Sequence, residues 1–538
     1  MQLRPEGCSY RLKRGMYIQG GQQPRSNAPG WKHLEAENTK NDLAKKQPWH
    51  DLHSVSIHLY LILASLAFLI TSTKTNLSTR YSSKLPTPHH QPHHITPKGF
   101  IRTRIAGNPS MNTILIRSGR VIDPSQNIDQ IADLWIQGEK ILGIGPNLAA
   151  NPDQIIDAKG MIVTPGLIDM HVHLREPGRE EDETIATGAH SAIVGGVTSV
   201  ACMPNTEPAI DTQASAEFVI LQAKRAGYAN VFPIGAITKG REGKELAEIG
   251  RLVNGGAVAF TDDGTPVVSA EIMRRAMEYC KGFDKTVLSH SEDLDLTKGG
   301  VMNEGIESMR LGLRGMPAAA EEVMIYREIA LAELTGAKVH ILHVSSKGGV
   351  ELIRQGKGRG VKASGEACPH HFTLTDKCLR TFDSNYKMSP PLRTQVDIDA
   401  ILVGFKDNTL EVLATDHAPH APEKKMRELD QAPNGIIGLE TFLPICIQAL
   451  IIPGILTWSH MIEKMTINPA KVLGIDRGTL KTNAWADVTI IDPDVEWTID
   501  PNKFKSKSRN CPYAGWKVKG RAEKVFVAGV LKQDKSPL

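Results

Sequence analysis

From Met111 onward the chain changes face residue by residue. The segments "ILIRSGRVIDP" and "ADLWIQGEKILGIG" alternate apolar and polar positions at period two, the pattern of half-buried strands, with bends at Gly119 and in "QGEK". Near the other end, "ADVTIIDPDVEWTID" and "AEKVFVAGVLK" repeat it. Two strand-rich flanks around one long middle predict that residues 111–165 and 471–538 pair into a small β-sandwich. Between them, over 166–470, short apolar runs alternate with helical stretches. The runs are "GLIDMHVH", "VTSVACMPN", "VFPIGAITK", "AVAFTDD", "TVLSHSED", "VHILHVSS", "VKASGEACPHH" and "LEVLATDHAP". Helical segments such as "SAEIMRRAMEYCKGF" and "AEEVMIYREIALAELTG" separate them, so the expectation is an α/β fold, a (β/α)8 TIM-like barrel.

Residues 1–110 differ. They hold "TPHHQPHHITP", much Ser, Thr, Asn and Pro, and a single apolar run, "VSIHLYLILASLAFLI", shorter than the roughly 20 residues that cross a bilayer. Regular alternation begins abruptly at Met111, so this N-terminal extension is expected to be disordered or not part of the native protein, with Met111 as the start. With 63 Lys and Arg against 59 Asp and Glu, the chain is too near neutral for a nucleic-acid binder. Its 7 cysteines are scattered, odd in number and without any CxxC spacing, which argues against a disulfide framework or a cysteine zinc site and fits a reducing, cytoplasmic setting.

The chemistry lies at the carboxyl ends of the strands, where such barrels carry their reactive groups. There the sequence places His171 and His173, Asn205, Asp262 and Asp263, His290, His343, then Asp416, His417 and His420. His171 and His173 are two apart on one strand and face the same side, so they can share one ion. Imidazoles with carboxylates suit zinc in a site that activates water, and an aspartate such as Asp416 can move the proton. That combination is hydrolysis at an amide or related carbon. His417 should point away from Asp416, and Asp262 should turn outward or support Asp263.

The motifs "HVHLREPG", "MPNTEP", "FTDDG", "HILHVSS" and "ATDHAPH" resemble those of class I dihydroorotases of the amidohydrolase superfamily, over essentially all of 111–538. The resemblance implies reversible zinc-dependent cyclisation of N-carbamoyl-L-aspartate to dihydroorotate in pyrimidine biosynthesis. It implies one zinc on His171, His173 and Asp416, a second on His290 and His343, and Asp263 bridging them where many relatives use a carboxylated lysine. Asp416 is the expected general acid and base. The implied substrate-binding set is His173, Arg175, Asn205, Ser389, His420, Asn434 and Gly435, with Arg175, Asn205 and His420 on the substrate carboxylate and backbone near Gly435 on the ring. A guanidinium suits a carboxylate through paired hydrogen bonds. Arg175 is expected to continue the register of His171 and His173.

Two positions depart from the family pattern: Ser389 replaces an asparagine, and Asn434 an apolar residue. A hydantoinase, dihydropyrimidinase or allantoinase is the alternative enzyme, but those relatives usually carry the bridging lysine and lack the "LREPG" arginine. An inactive partner of aspartate transcarbamoylase is a third reading, disfavoured because every ligand position is filled. A homo-oligomer is expected, with a complex with aspartate transcarbamoylase also open.

Overall fold

The structure is a computed structural model and describes residues 112–146 and 151–535. The expectations for residues 1–110, the apolar run at 55–70 and the histidine pairs at 89–94 fall outside these.

Strand Thr113–Asp123 turns into Ile128–Gln137 through a short 3-10 segment. Asp123 accepts a hydrogen bond from the Ser125 backbone N–H at 2.9 Å, and Asn127 takes the left-handed conformation (φ 56°) that reverses the chain. The two flanks do not form two separate sheets. They hydrogen-bond into one eight-stranded sheet, because strand Ile162–Pro165 pairs parallel with Thr113–Asp123 and antiparallel with Val488–Thr498. Ile116, Val121, Leu134, Val163, Val488, Ile490 and Phe526 from both flanks share one buried cluster. Each such side chain contributes about 1.5–3 kcal/mol on burial, so the two flanks stabilise one another.

The middle is mixed α/β. Strands Leu167–Val172, Val197–Cys202 and Asn230–Pro233 form one parallel group; Val287–Ser289, Val339–Ile341, Ala363–Ala367 and Val412–Leu413 form another. Leu167–Val172 and Val197–Cys202 are buried at every position, as parallel strands covered on both faces must be. The expected strand "AVAFTDD" is reduced to Phe260, which makes single parallel bridges to Gly235 and Val287. A further bridge joins Val172 to His417.

Helices lie between these strands in sequence. Ala270–Gly282 buries Met273, Ala276, Met277 and Cys280, the 3.6-residue stripe expected of it, and Ser269 caps its first turn by accepting from Ile272 N–H. Five cysteines, 202, 280, 368, 446 and 511, are free and buried. Among the described residues no helix is long and apolar enough to cross a membrane.

Candidate active site

The first strand of the middle region and the segment after Val412–Leu413 are stitched together by Asp169. Its Oδ1 accepts from the backbone N–H of His171 (3.2 Å) and Thr415 (3.1 Å), and Oδ2 accepts from the Thr415 hydroxyl at 2.5 Å. The His173 N–H also donates to the His417 carbonyl at 2.8 Å. This register brings Asp416 Oδ1 to 2.9 Å from His173 Nε2 and 3.4 Å from His171 Nε2.

Asp263 enters from the segment that Phe260 bridges. Its Oδ1 lies 3.5 Å from His171 Nε2, 3.3 Å from His290 Nδ1 and 3.7 Å from His343 Nε2; its Oδ2 is 3.5 Å from His173 Nε2. His290 Nδ1 and His343 Nε2 are 2.8 Å apart. All six are buried, and two groups of three, His171–His173–Asp416 and His171–Asp263–His343, hold their ligand atoms within 4.8 Å of one another. His171 Nε2 and Asp263 Oδ1 are buried with no hydrogen-bond partner. Leaving such atoms unpaired is destabilising unless they serve another purpose. Imidazole nitrogens and carboxylate oxygens converging this way fit a divalent metal.

Charge reinforces this. Burial acts against a protonated His171, yet the carboxylates of Asp416, Asp263 and Glu366 hold its pKa well above the ordinary value. Burial likewise opposes His290, but its hydrogen bonds to Asp263 and Glu292 raise it to about 10. The carboxyls of Asp416 and Asp263, despite burial, are held well below the usual range by His171 and its neighbours. The carboxylates of the centre thus favour positive charge on the imidazoles, and a divalent cation can take the place of those protons.

Arg175 departs from its expected place. The strand ends at Val172, and Arg175 sits in a turn at φ 61°, where the Glu176 N–H donates back to the Leu174 carbonyl at 2.7 Å. Its Nε instead donates to the Pro419 carbonyl at 3.2 Å, which carries the guanidinium across to the Asp416–His420 segment. Burial and the charge of Arg179 draw it down to about 10, and among the described residues it makes no ion pair. His343 and Asp416 also adopt positive φ, 34° and 50°. For an L-residue that region costs about 1–2 kcal/mol, so three residues of this cluster are held in it by the surrounding fold.

The other expected contacts are distributed unevenly. Asn205 Oδ1 is engaged by His173 Nδ1 at 2.9 Å, fixing that ring. His420 Nε2 donates to the Asn434 carbonyl at 2.7 Å, while the Asn434 side chain is exposed. Gly435, at φ 118°, leaves little of its backbone free: its N–H donates to the Lys387 carbonyl (3.0 Å), and its carbonyl accepts from Asn510 Nδ2 and Lys425 Nζ (both 3.1 Å). Ser389 is half-buried in a cis peptide to Pro390, and no described hydrogen bond joins its hydroxyl to the rest. His417 turns away from Asp416 and accepts from the Gly438 N–H at 3.1 Å. Asp262 does not turn outward; it is buried and accepts from the Ile237 and Thr238 backbone and from the Thr238 hydroxyl. Cys368, His370 and His371 form another buried group, in which His371 Nε2 donates to the Pro390 carbonyl at 3.0 Å.

Three carboxylates around the centre escaped the sequence reading: Asp169, Glu292, 2.9 Å from His290 Nε2, and Glu366, 2.6 Å from His171 Nδ1. Burial pushes Glu366 up, but the charge of His171 and hydrogen bonds from His171 and His340 pull it down to about 2. The one available signal was a charge inside the otherwise small and apolar strand "ASGEA".

A dihydroorotase of Geobacter sp. (strain M21) is 54% identical over 417 residues, covering 77% of this chain and 98% of that protein. The chain belongs to the dihydroorotase family. The family pattern described as Dihydro-orotase-like matches residues 160–349. A second dihydroorotase, from Acetivibrio thermocellus, is 50% identical with 77% and 98% covered. Among solved structures, the L-hydantoinase (dihydropyrimidinase) of Arthrobacter aurescens is similar with a TM-score of 0.71 at 24% identity, over 80% of this chain and 97% of that one. The dihydropyrimidinase of Brevibacillus agri has a TM-score of 0.69, also at 24% identity, over 79% and 96%. At that identity the likeness is one of fold, so dihydroorotase membership rests on the closer relatives.

Proposed function

We propose that this dihydroorotase opens dihydroorotate to N-carbamoyl-aspartate and closes it again, with zinc held by His171, His173, Asp263, His290, His343 and Asp416. The observation that carries the substrate assignment is Arg175: a buried guanidinium without an ion pair among the described residues, beside a cluster built for a metal. A neutral cyclic amide gives that charge nothing to pair with, whereas the carboxylate common to both proposed substrates does.

When bound, the metal supplies Lewis-acid polarisation of the ring carbonyl and a nucleophilic oxygen near neutral pH. Asp416 does the proton work. Ionised and fixed against His173, its carboxylate accepts the proton of the attacking water and delivers it to the ring nitrogen as the C–N bond breaks. In the cyclising direction it takes that proton from the carbamoyl nitrogen as the C–N bond forms and returns it to the carboxyl oxygen that leaves as water. Arg175 holds the carboxylate, and His420, kept neutral because burial and the Arg175 charge lower it to about 2, adds its ring beside it. Asn205 acts first by orienting His173. Ser389 and Asn434 contribute to the shape of the rim, and Gly435 provides the close approach to Ala418 and His420 that a side chain would block.

The single bridges at Phe260 and between Val172 and His417 support a further reading: the strands of residues 166–470 close into an eight-stranded barrel carrying this site at one end. The flanks 111–165 and 471–538 then form a second domain.

The test is turnover by the purified full chain, with metal content measured alongside. Dihydroorotate should be opened and dihydrouracil, which lacks the carboxylate, left nearly untouched. Preference for dihydrouracil by metal-loaded protein would overturn the reading.

A further inference from the structure

A line of buried hydrogen bonds runs away from the centre. Glu366 lies in strand Ala363–Ala367 and is wholly buried. Its Oε1 meets His171 Nδ1 at 2.6 Å and the backbone N–H of His343 at 3.2 Å. Its Oε2 meets His340 Nε2 at 3.2 Å, and His340 Nδ1 meets the Ser364 hydroxyl at 2.8 Å. Ser364 lines a cavity of about 350 Å³ together with Thr286, Lys338, Lys362, Lys471 and Asn468. Thr286, Lys338 and Lys362 precede their strands, so this cavity lies at the end of the strands opposite the active site.

The geometry points to Glu366 as a positioning residue that fixes the ring and tautomer of His171 and, through one carboxylate oxygen, ties His171 to the backbone of His343. A carboxylate only accepts, so His171 Nδ1 must carry the hydrogen facing it; in the neutral ring that binds a metal, Nε2 is then the bare nitrogen toward Asp263 and Asp416. The same requirement puts a hydrogen on His340 Nε2 and leaves Nδ1 to accept from Ser364. One direction of donation therefore satisfies every member, and the metal-facing nitrogen is the free end. Because Oε1 serves both His171 and the His343 N–H, the two groups of ligands cannot drift apart without losing a buried bond. Outer-shell carboxylates on ligating histidines typically change metal affinity by about 10–100-fold.

This inference rests on the proposed metal at His171, and its test separates the two. Zinc affinity of the full chain is measured by competition with a chelator, together with the melting temperature of metal-free protein, for wild type and Glu366→Gln. The amide can accept from one imidazole only and turns an N–H toward the other. The expected result is a drop in affinity of about 10–100-fold with metal-free melting temperature not lowered, and, in protein saturated with zinc, KM within about twofold of wild type. Wild type that binds no zinc would sink the metal reading itself. Wild type that binds while Glu366→Gln binds as tightly overturns the positioning role. Should Glu366→Gln fail to fold, His340→Gln, which leaves Glu366 in place and alters one of its two imidazole partners, enters the same titration: a severalfold loss is expected, and unchanged affinity overturns the inference.

Discussion

Replacing Arg175 by methionine separates substrate recognition from stability, because the two should move in opposite directions. Methionine keeps most of the stem and the left-handed backbone but removes the charge. A guanidinium that ordinarily titrates at 12.5 is drawn to about 10 here; that corresponds to a free energy on the order of 3 kcal/mol held against its charge in the substrate-free protein. The substitution relieves this and loses the bond to the Pro419 carbonyl, about 1 kcal/mol, so the free enzyme should gain about 1–2 kcal/mol and a few degrees in melting temperature. Substrate binding loses a charge-assisted pair of about 1.5–3 kcal/mol, which is a KM raised roughly 10–150-fold for dihydroorotate with a smaller change in kcat. Steady-state kinetics with calorimetry on the same preparations reads both. A KM within threefold of wild type, or a raised KM accompanied by a lower melting temperature, would show that Arg175 serves the fold rather than the substrate.

Asp416→Asn should lower kcat for dihydroorotate at least about 100-fold while leaving far-UV circular dichroism unchanged, since the amide fills the same volume but cannot take a proton; near-normal turnover would remove Asp416 from the proton path. Gly435→Ala places a Cβ 2.6 Å from that of Ala418 at a φ of 118°, so a raised KM and a stability loss of about 1–3 kcal/mol are expected in kinetics and denaturant melts. Glu440 is raised by burial to about 7. Its folded pKa lies above the unfolded one, so its contribution is full below about pH 4.5 and is lost as pH rises toward 7, at up to about 1.4 kcal/mol per pH unit. Glu440→Gln should remove that slope from the stability profile between pH 5 and 7, and identical profiles would contradict it.

The elements of the middle region were legible because each apolar run is bounded by turn residues and separated by a helix with a 3.6-residue stripe. "AVAFTDD" misled in degree: its pattern is that of a strand, but only Phe260 bridges its neighbours. The flanks were legible as strands and not as one sheet, since the pairing of Ile162–Pro165 with Val488–Thr498 is a contact across some 320 residues that local alternation does not encode. The histidines and aspartates at the strand ends stand out as polar types where apolar ones would otherwise continue. Glu366 and Asp169 do not, because a glutamate in a strand reads as a solvent-facing position until the helices covering that strand are known. Arg175 was placed by extending a register past Val172, where the strand ends, into residues where the backbone turns.

The left-handed backbone at Arg175, His343 and Asp416 sets a rule for engineering this enzyme. Glycine at any of the three relieves about 1–2 kcal/mol of backbone strain, so heat resistance alone penalises the loss of these side chains less than it would at an ordinary buried position. A variant pool should therefore be sorted for turnover before it is sorted for survival, and positions where the two rankings conflict trace the site from the outside.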